Sequence, residues 1–236
     1  MIASALIPSR SKPHSGGKVL EKFFEKFWWT VSNPSDVELI VKVDDEDTVQ
    51  QDTAYRLQEK YGNTKVVLSP RYDGYHSSDI FWNLMASQAQ GTWLGLWPDD
   101  QIPTTFGWDK ILYDYAQYTT YMLYPEHEGL AGNVGLMIHR ELFKLLGTTG
   151  NFGADWFWDM AQMTTTTPLR IKVPIVVDGI PFPDDASWIT DSGSKVNRNP
   201  TYNHADGRRF IQMIEEARRN GAPVCPNPGY DQCRPK

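Results

Sequence analysis

Two adjacent carboxylates, Asp99 and Asp100, follow the apolar run TWLGLW at residues 92–97. Like charges side by side repel, and at the end of a strand they cannot both turn into a core. A divalent cation removes the repulsion, because Mg2+ and related ions take oxygen ligands and need only one or two protein carboxylates. The competing reading is an ordinary Pro-Asp-Asp-Gln turn with both acids in water. A second reactive stretch is FGADWFWD, residues 152–159, where Asp155 and Asp159 stand one helical turn apart on one face. Phe152, Trp156 and Trp158 give Asp155 an apolar setting, which raises a carboxylate's pKa and makes it a better base. Its competing reading is a helix N-cap among core aromatics. Two more polar clusters end apolar runs: Pro8-Ser9-Arg10, and Asp44-Asp45-Glu46-Asp47. The second also reads as the acidic N-terminus of a helix beginning near Thr48, favoured by the helix dipole.

The elements that must position these groups alternate along the chain. Ile2 to Ile7 reads as a strand stopped by Pro8. VLEKFFEKFWW puts Val19, Leu20, Phe23, Phe24 and Phe27 on one helical face. VELIVKV (37–43) and KVVLS (65–69) read as strands around a weakly amphipathic helix at 48–61. A helix over 77–90, capped by Ser77 and Ser78, precedes TWLGLW, and another follows with Trp108, Ile111, Leu112 and Tyr115 on one face. Strands alternating with helices predict parallel β-α-β units. Ligands of such sheets bind beyond the carboxyl ends of the strands, where the clusters at 8–10, 44–47 and 99–100 would converge. The second half is less regular: strands at 119–124, 133–139 and 170–178, and helices at 140–147, 152–162 and 206–221.

The 236 residues are 40% hydrophobic, enough for one large domain or two small ones. A net charge of −6 makes the chain a poor general binder of nucleic acid or anionic membrane, so no nucleic-acid partner is expected. No apolar run reaches the length of a transmembrane helix, and the N-terminus lacks a basic leader, so a soluble cytoplasmic protein is expected. Cys225 and Cys233 both lie in a Pro-rich tail, and pairing between them stays open.

ALIPSRSKP, VELIVKVDDEDT, SSDIFWNLMASQAQGTWLGLWPDDQIPTTFGWDKIL and GLMIHRELFKLLG with NFGADWFWDMAQ together resemble the GT-A-fold glycosyltransferases, in particular the family-2-like group. The resemblance covers roughly residues 1–162. It implies an α/β fold in a single domain: a Rossmann-like nucleotide-binding half with a mixed central sheet flanked by helices. The catalytic domain would span 1–222, with a nucleotide-binding half at 1–118, an acceptor-side half at 119–222 and a tail at 223–236. Two positions depart from the family pattern. Trp97 stands where the first acid of Asp-x-Asp is usual, and Ala154 stands where an acid usually precedes Asp155.

The resemblance implies transfer of a sugar from a nucleotide-diphosphate sugar to a carbohydrate or other hydroxyl acceptor, inverting and assisted by Mn2+ or Mg2+. Asp99 and Asp100 would hold the metal, and Asp99 would also contact the donor. His204 would complete the metal site or touch the phosphates, although a lone loop histidine is more often just exposed. Asp44 would accept from the base N–H, with Pro8, Ser9 and Arg10 as the wall beside it. Arg71 would reach the diphosphate or pair with Asp73, and Asp79 would cap its helix or touch the nucleotide. Asp155 would take the acceptor proton. The rival functions are a nucleotidyltransferase, for which SRSKPHSGGK offers a glycine pair and a lysine without P-loop spacing, and a non-catalytic carbohydrate- or partner-binding descendant.

Overall fold

Strand β1 (Ala3–Ser9) leads into helix α1 (Lys18–Thr30), whose buried face is Val19, Leu20, Phe23, Phe24 and Phe27, as the spacing predicts. Strand β2 (Val37–Asp44), helix α2 (Thr48–Tyr61), strand β3 (Thr64–Ser69), helix α3 (Ser78–Ala86) and strand β4 (Trp93–Leu96) continue the alternation. Next come β5 (Gln101–Pro103), α4 (Trp108–Ile111) running into a 3-10 turn at Leu112–Tyr115, β6 (Met122–His127) and β7 (Met137–His139). The chain ends with α5 (Arg140–Leu146), α6 (Ala154–Met163), β8 (Arg170–Gly179) and α7 (His204–Arg219). This computed structural model describes residues 1–11, 16–72, 78–127, 135–150, 154–179, 203–226 and 228. Ser77, the side chain of Ser78, Asp73 and Cys233 lie outside the described residues.

One mixed sheet holds all eight strands in the order β3-β2-β1-β4-β7-β6-β8-β5. The first four are mutually parallel, β7 is antiparallel to β4 and β6, β6 and β8 are parallel, and β5 is antiparallel to β8. The pleat sends alternate residues to two apolar layers. Ala5, Ile7, Leu39, Val41, Trp93 and Trp97 pack with α1, α2 and α4. Leu6, Ile40, Leu94 and Leu96 pack with α3, α5, α6 and α7. Helices on both faces make this a single α/β domain.

Element bounds shift by a few residues, with α3 ending at Ala86 rather than 90 and β6 covering Met122–His127 rather than 119–124, and three further local features differ from the sequence reading. Strand β1 runs through Pro8 to Ser9. Its ladder to β4 ends at the Leu6–Leu96 pair, so the proline falls where one side of the strand has no partner to lose. Helix α7 begins at His204, two residues early, because the Asn203 side chain accepts from the N–H groups of Ala205 and Asp206.

The third is β5, which the sequence reading took as part of a turn. It pairs Gln101–Pro103 with Gly179–Val177. In the sheet order β4 and β5 stand four places apart, roughly 19 Å in a flat sheet. The turn closed by Gln101 N–H to Pro98 O (3.2 Å) joins them directly, and the ends of a turn lie within about 7 Å. The sheet therefore curls, and the Asp99-Asp100 turn spans its mouth. No helix among the described residues is long and apolar enough to cross a membrane.

Candidate active site

Register sets three of the clusters at one height. Leu6 pairs with both Ile40 and Leu96, so three residues further on Ser9 sits opposite Val43 and level with Asp99. Asp44 pairs with Ser69, two residues before Arg71. The carboxyl ends of β1, β2, β3 and β4 thus carry Pro8-Ser9-Arg10, Asp44, Arg71 and Asp99 to the same edge.

At that edge Asp99 is buried, 4% exposed, and accepts a hydrogen bond from the Ser9 hydroxyl at 2.5 Å. The Gln50 amide on the first turn of α2 donates to the Ser9 oxygen at 2.7 Å. Asp47 caps α2 by accepting from Gln50 N–H (3.0 Å), and also accepts from Ser11 N–H (2.7 Å). One carboxylate therefore ties the helix start to the segment leaving β1, and the acidic-cap reading holds for Asp47.

Asp44 points to the other face of the sheet, where it forms an ion pair with buried Lys42, two residues before it on the same strand. Lys42 Nζ also lies 5.6 Å from the Tyr72 ring centroid. Asp44 thus carries its own counter-charge. Arg10 is partly exposed. Burial and then Arg71 push its guanidinium below the usual value, while Asp44, Asp99 and Asp47 oppose this. It stays charged throughout. Arg71 is exposed and lies 3.8 Å from Glu46, a solvated pair of little energetic weight.

Residues of the second half of the chain reach this edge by helix direction. Leu169 N–H donates to Gln162 at 2.7 Å, which fixes the C-terminal end of α6 beside the start of β8. Strand β8 runs the same way as β4, so the N-terminal end of α6 stands at the carboxyl edge. Asp155 is the second residue of α6; its side chain lies outside the described residues. Arg218 near the end of α7 donates to the carbonyls of Thr120 (3.1 Å) and Pro168 (2.8 Å) at the opposite edge. Fourteen residues earlier, about 21 Å back along the helix, exposed His204 stands towards the carboxyl edge.

Asp159, one turn beyond Asp155, is held in place. It forms an ion pair with buried Arg170 and accepts from the Tyr124 hydroxyl at 3.1 Å. Burial pushes its carboxyl up, and Arg170 and Tyr124 act in the opposite direction. The Arg170 guanidinium also lies 4.3 Å from the Tyr124 ring centroid. This cluster anchors α6 to β6 and β8 below Asp155.

Trp97 does not face the site. It is 1% exposed and packs edge-on against Phe27 (5.7 Å) and Trp108 (5.1 Å). Asp79 is the second residue of α3 and is partly exposed. Among the described residues no group of three or more His, Cys, Asp or Glu side chains gathers to hold a metal, so Asp99, Asp100 and His204 do not form a closed protein cage. That arrangement still fits Mg2+ or Mn2+, which bind through one or two carboxylates and complete their shell with phosphate and water. Buried Asp99, with one oxygen fixed by Ser9, and partly exposed Asp100 supply the hard oxygen donors such an ion takes.

Sequence reasoning passed over Gln50 and Lys42, and it singled out Asp159 without its partners Arg170 and Tyr124. Gln50 carried a signal: it shares its helix face with Thr53, Ala54 and Leu57, so an amide sits on an otherwise buried stripe. Lys42 appeared as one of two charges, with Glu38, inside a largely β-branched run.

No family model matches the sequence, and no curated protein matches it. Solved structures do share its fold. A 1–349 fragment of S. aureus TarS in complex with UDP-GlcNAc is 12% identical, with a TM-score of 0.55 over 95% of this chain and 68% of that one. A mannosyltransferase from Pyrobaculum calidifontis in complex with GDP-Man and Mn2+ is 13% identical, with a TM-score of 0.58 over 95% and 76%. GalNAc-T7 with UDP, GalNAc and Mn2+ is 13% identical, with a TM-score of 0.60 over 91% and 48%. The fold they share with this chain is the GT-A fold.

Proposed function

We propose that this GT-A-fold chain transfers a sugar from a nucleotide-diphosphate sugar to an acceptor hydroxyl, with inversion and with the help of Mn2+ or Mg2+. One observation carries the reading: the buried Asp99 carboxylate, fixed by Ser9 at the carboxyl edge of the parallel strands. Support comes from structures of the same fold that hold UDP-GlcNAc, GDP-Man with Mn2+, and UDP with GalNAc and Mn2+.

In this reading the half at 1–118 binds the donor. Asp44 accepts from the base N–H, with Pro8, Ser9 and Arg10 walling the base. Arg10 and Arg71 turn their positive charge towards the diphosphate. Asp99 and Asp100 hold the cation, and His204 reaches it or its phosphates. When bound, the cation supplies Lewis-acid stabilisation of the diphosphate leaving group. The half at 119–222 receives the carbohydrate or other hydroxyl acceptor. Asp155 takes the hydroxyl proton as the oxygen attacks the anomeric carbon, and a single displacement inverts that centre.

Thermal stabilisation by UDP, GDP and CTP with Mn2+ is the first test, followed by a donor-hydrolysis screen of the intact chain, Asp99→Ala and Asp155→Ala. The reading expects a nucleoside-diphosphate response and turnover lost in both variants. A response to CTP alone turns the assignment towards nucleotidyl transfer. Turnover indifferent to both substitutions removes the assigned roles.

A further inference from the structure

We propose that Gln50 is a positioning residue for Asp99: it fixes the direction of the Ser9 proton, and through it the orientation in which Asp99 meets a divalent cation. The inference rests on the function proposed above and adds a residue that neither the strand ends nor the Asp-Asp pair contains.

The chain of contacts crosses three elements. Gln50 on α2 donates from Nε2 to Ser9 Oγ at 2.7 Å, and Ser9 on β1 donates to Asp99 Oδ2 at 2.5 Å. All three residues are buried, with Gln50 0% exposed. A hydroxyl has one proton and two acceptor lone pairs. An amide nitrogen can only donate, so with Gln50 filling one lone pair the Ser9 proton goes to Asp99. The amide has little freedom, because the Gln50 backbone N–H is held by the Asp47 cap at 3.0 Å and its side chain is fully buried. The result is a carboxylate with one oxygen locked, two hydrogen bonds from a rigid helix start. Residues behind a metal ligand orient it in this way.

A purely structural role explains Gln50 poorly. Its Oε1 is buried and makes no hydrogen bond among the described residues. The cost of its unsatisfied buried carbonyl offsets what its one hydrogen bond to Ser9 contributes to stability. Gln50→Met keeps the length and removes both polar atoms. Folding should therefore survive the change, while the Ser9 proton loses its fixed direction.

The test is Mn2+ titration of the full chain, followed by electron paramagnetic resonance of the free ion. Wild type, Gln50→Met, Ser9→Ala and the double variant are compared, with melting temperatures in parallel. The expected result is Mn2+ affinity lowered roughly 10- to 100-fold in each single variant. The double variant should be no weaker than the weaker single one, because both changes break one chain of contacts. The melting temperature of Gln50→Met should match or exceed the wild type. Affinity unchanged by Gln50→Met, or losses that multiply in the double variant, would overturn the proposal. If wild type binds no Mn2+, the metal reading itself fails. Crystals of Gln50→Met then decide the Ser9 link: an Asp99 carboxylate swung away from Ser9 supports it, and an unmoved one sinks it.

Discussion

Trp97→Asp would put an acid where the Asp-x-Asp resemblance expects one, and the structure predicts that it unfolds the protein. The indole is 1% exposed, wedged between Phe27 at 5.7 Å and Trp108 at 5.1 Å. A buried tryptophan removes about 200 Å² from water, worth about 5 kcal/mol at 25 cal/mol per Å². The carboxyl replacing it would face aromatic rings. Burial of that kind raises a carboxyl pKa by about 3 units or more, and keeping it neutral at pH 7 costs about 4 kcal/mol. The sum, about 9 kcal/mol, falls within the 5–15 kcal/mol that is the whole stability of a typical domain. Trp97→Phe keeps an aromatic ring in place and should lose only about 1–3 kcal/mol. Urea unfolding followed by far-ultraviolet circular dichroism compares the three proteins. A cooperative Trp97→Asp transition within about 2 kcal/mol of wild type would refute the reasoning, and tighter Mn2+ binding in that variant would show that position 97 can face the ion.

Gly91→Ala should lower stability by about 2–3 kcal/mol, read as a drop in the urea midpoint, because an added Cβ would lie 2.3 Å from the Ser4 backbone nitrogen. His139 should make stability fall in mild acid: burial holds its imidazole below the ordinary 6.5, with the Ala116 carbonyl bond opposing. Its contribution is complete above the unfolded value and is lost as pH falls from there towards the lower folded value, at up to about 1.4 kcal/mol per pH unit. His139→Asn should flatten that limb between pH 7 and pH 5 in unfolding curves, and an unchanged slope would contradict the assignment. Asp155→Asn should reduce turnover about 10²- to 10⁴-fold while leaving nucleotide-induced thermal stabilisation intact; loss of both together would move Asp155 out of the base role.

Much of the architecture was local and could be read from the chain. The buried face of α1 follows from apolar residues three and four apart, and β1, β2 and β4 from continuous apolar runs that suit strands covered on both faces. The edge carrying Ser9, Asp44 and Asp99 was legible for the same reason, since parallel strands must end together. Asp47 was legible as a cap because capping acts within one turn of helix.

Other features belong to tertiary structure. Gln101–Pro103 is three residues long and ends in a proline, too little to announce a strand, and it becomes one only when the curled sheet presents β8 beside it. The side of the chain that Trp97 faces depends on the packing of Phe27 and Trp108, 70 positions before it and 11 after it. The link from Gln50 through Ser9 to Asp99 joins residues 41 and 90 positions apart. Sequence periodicity determines which face of an element is apolar, because a helix or strand sets that within a few residues. Which polar groups meet across the edge depends on how separate elements stack, and that is settled only when the whole core closes.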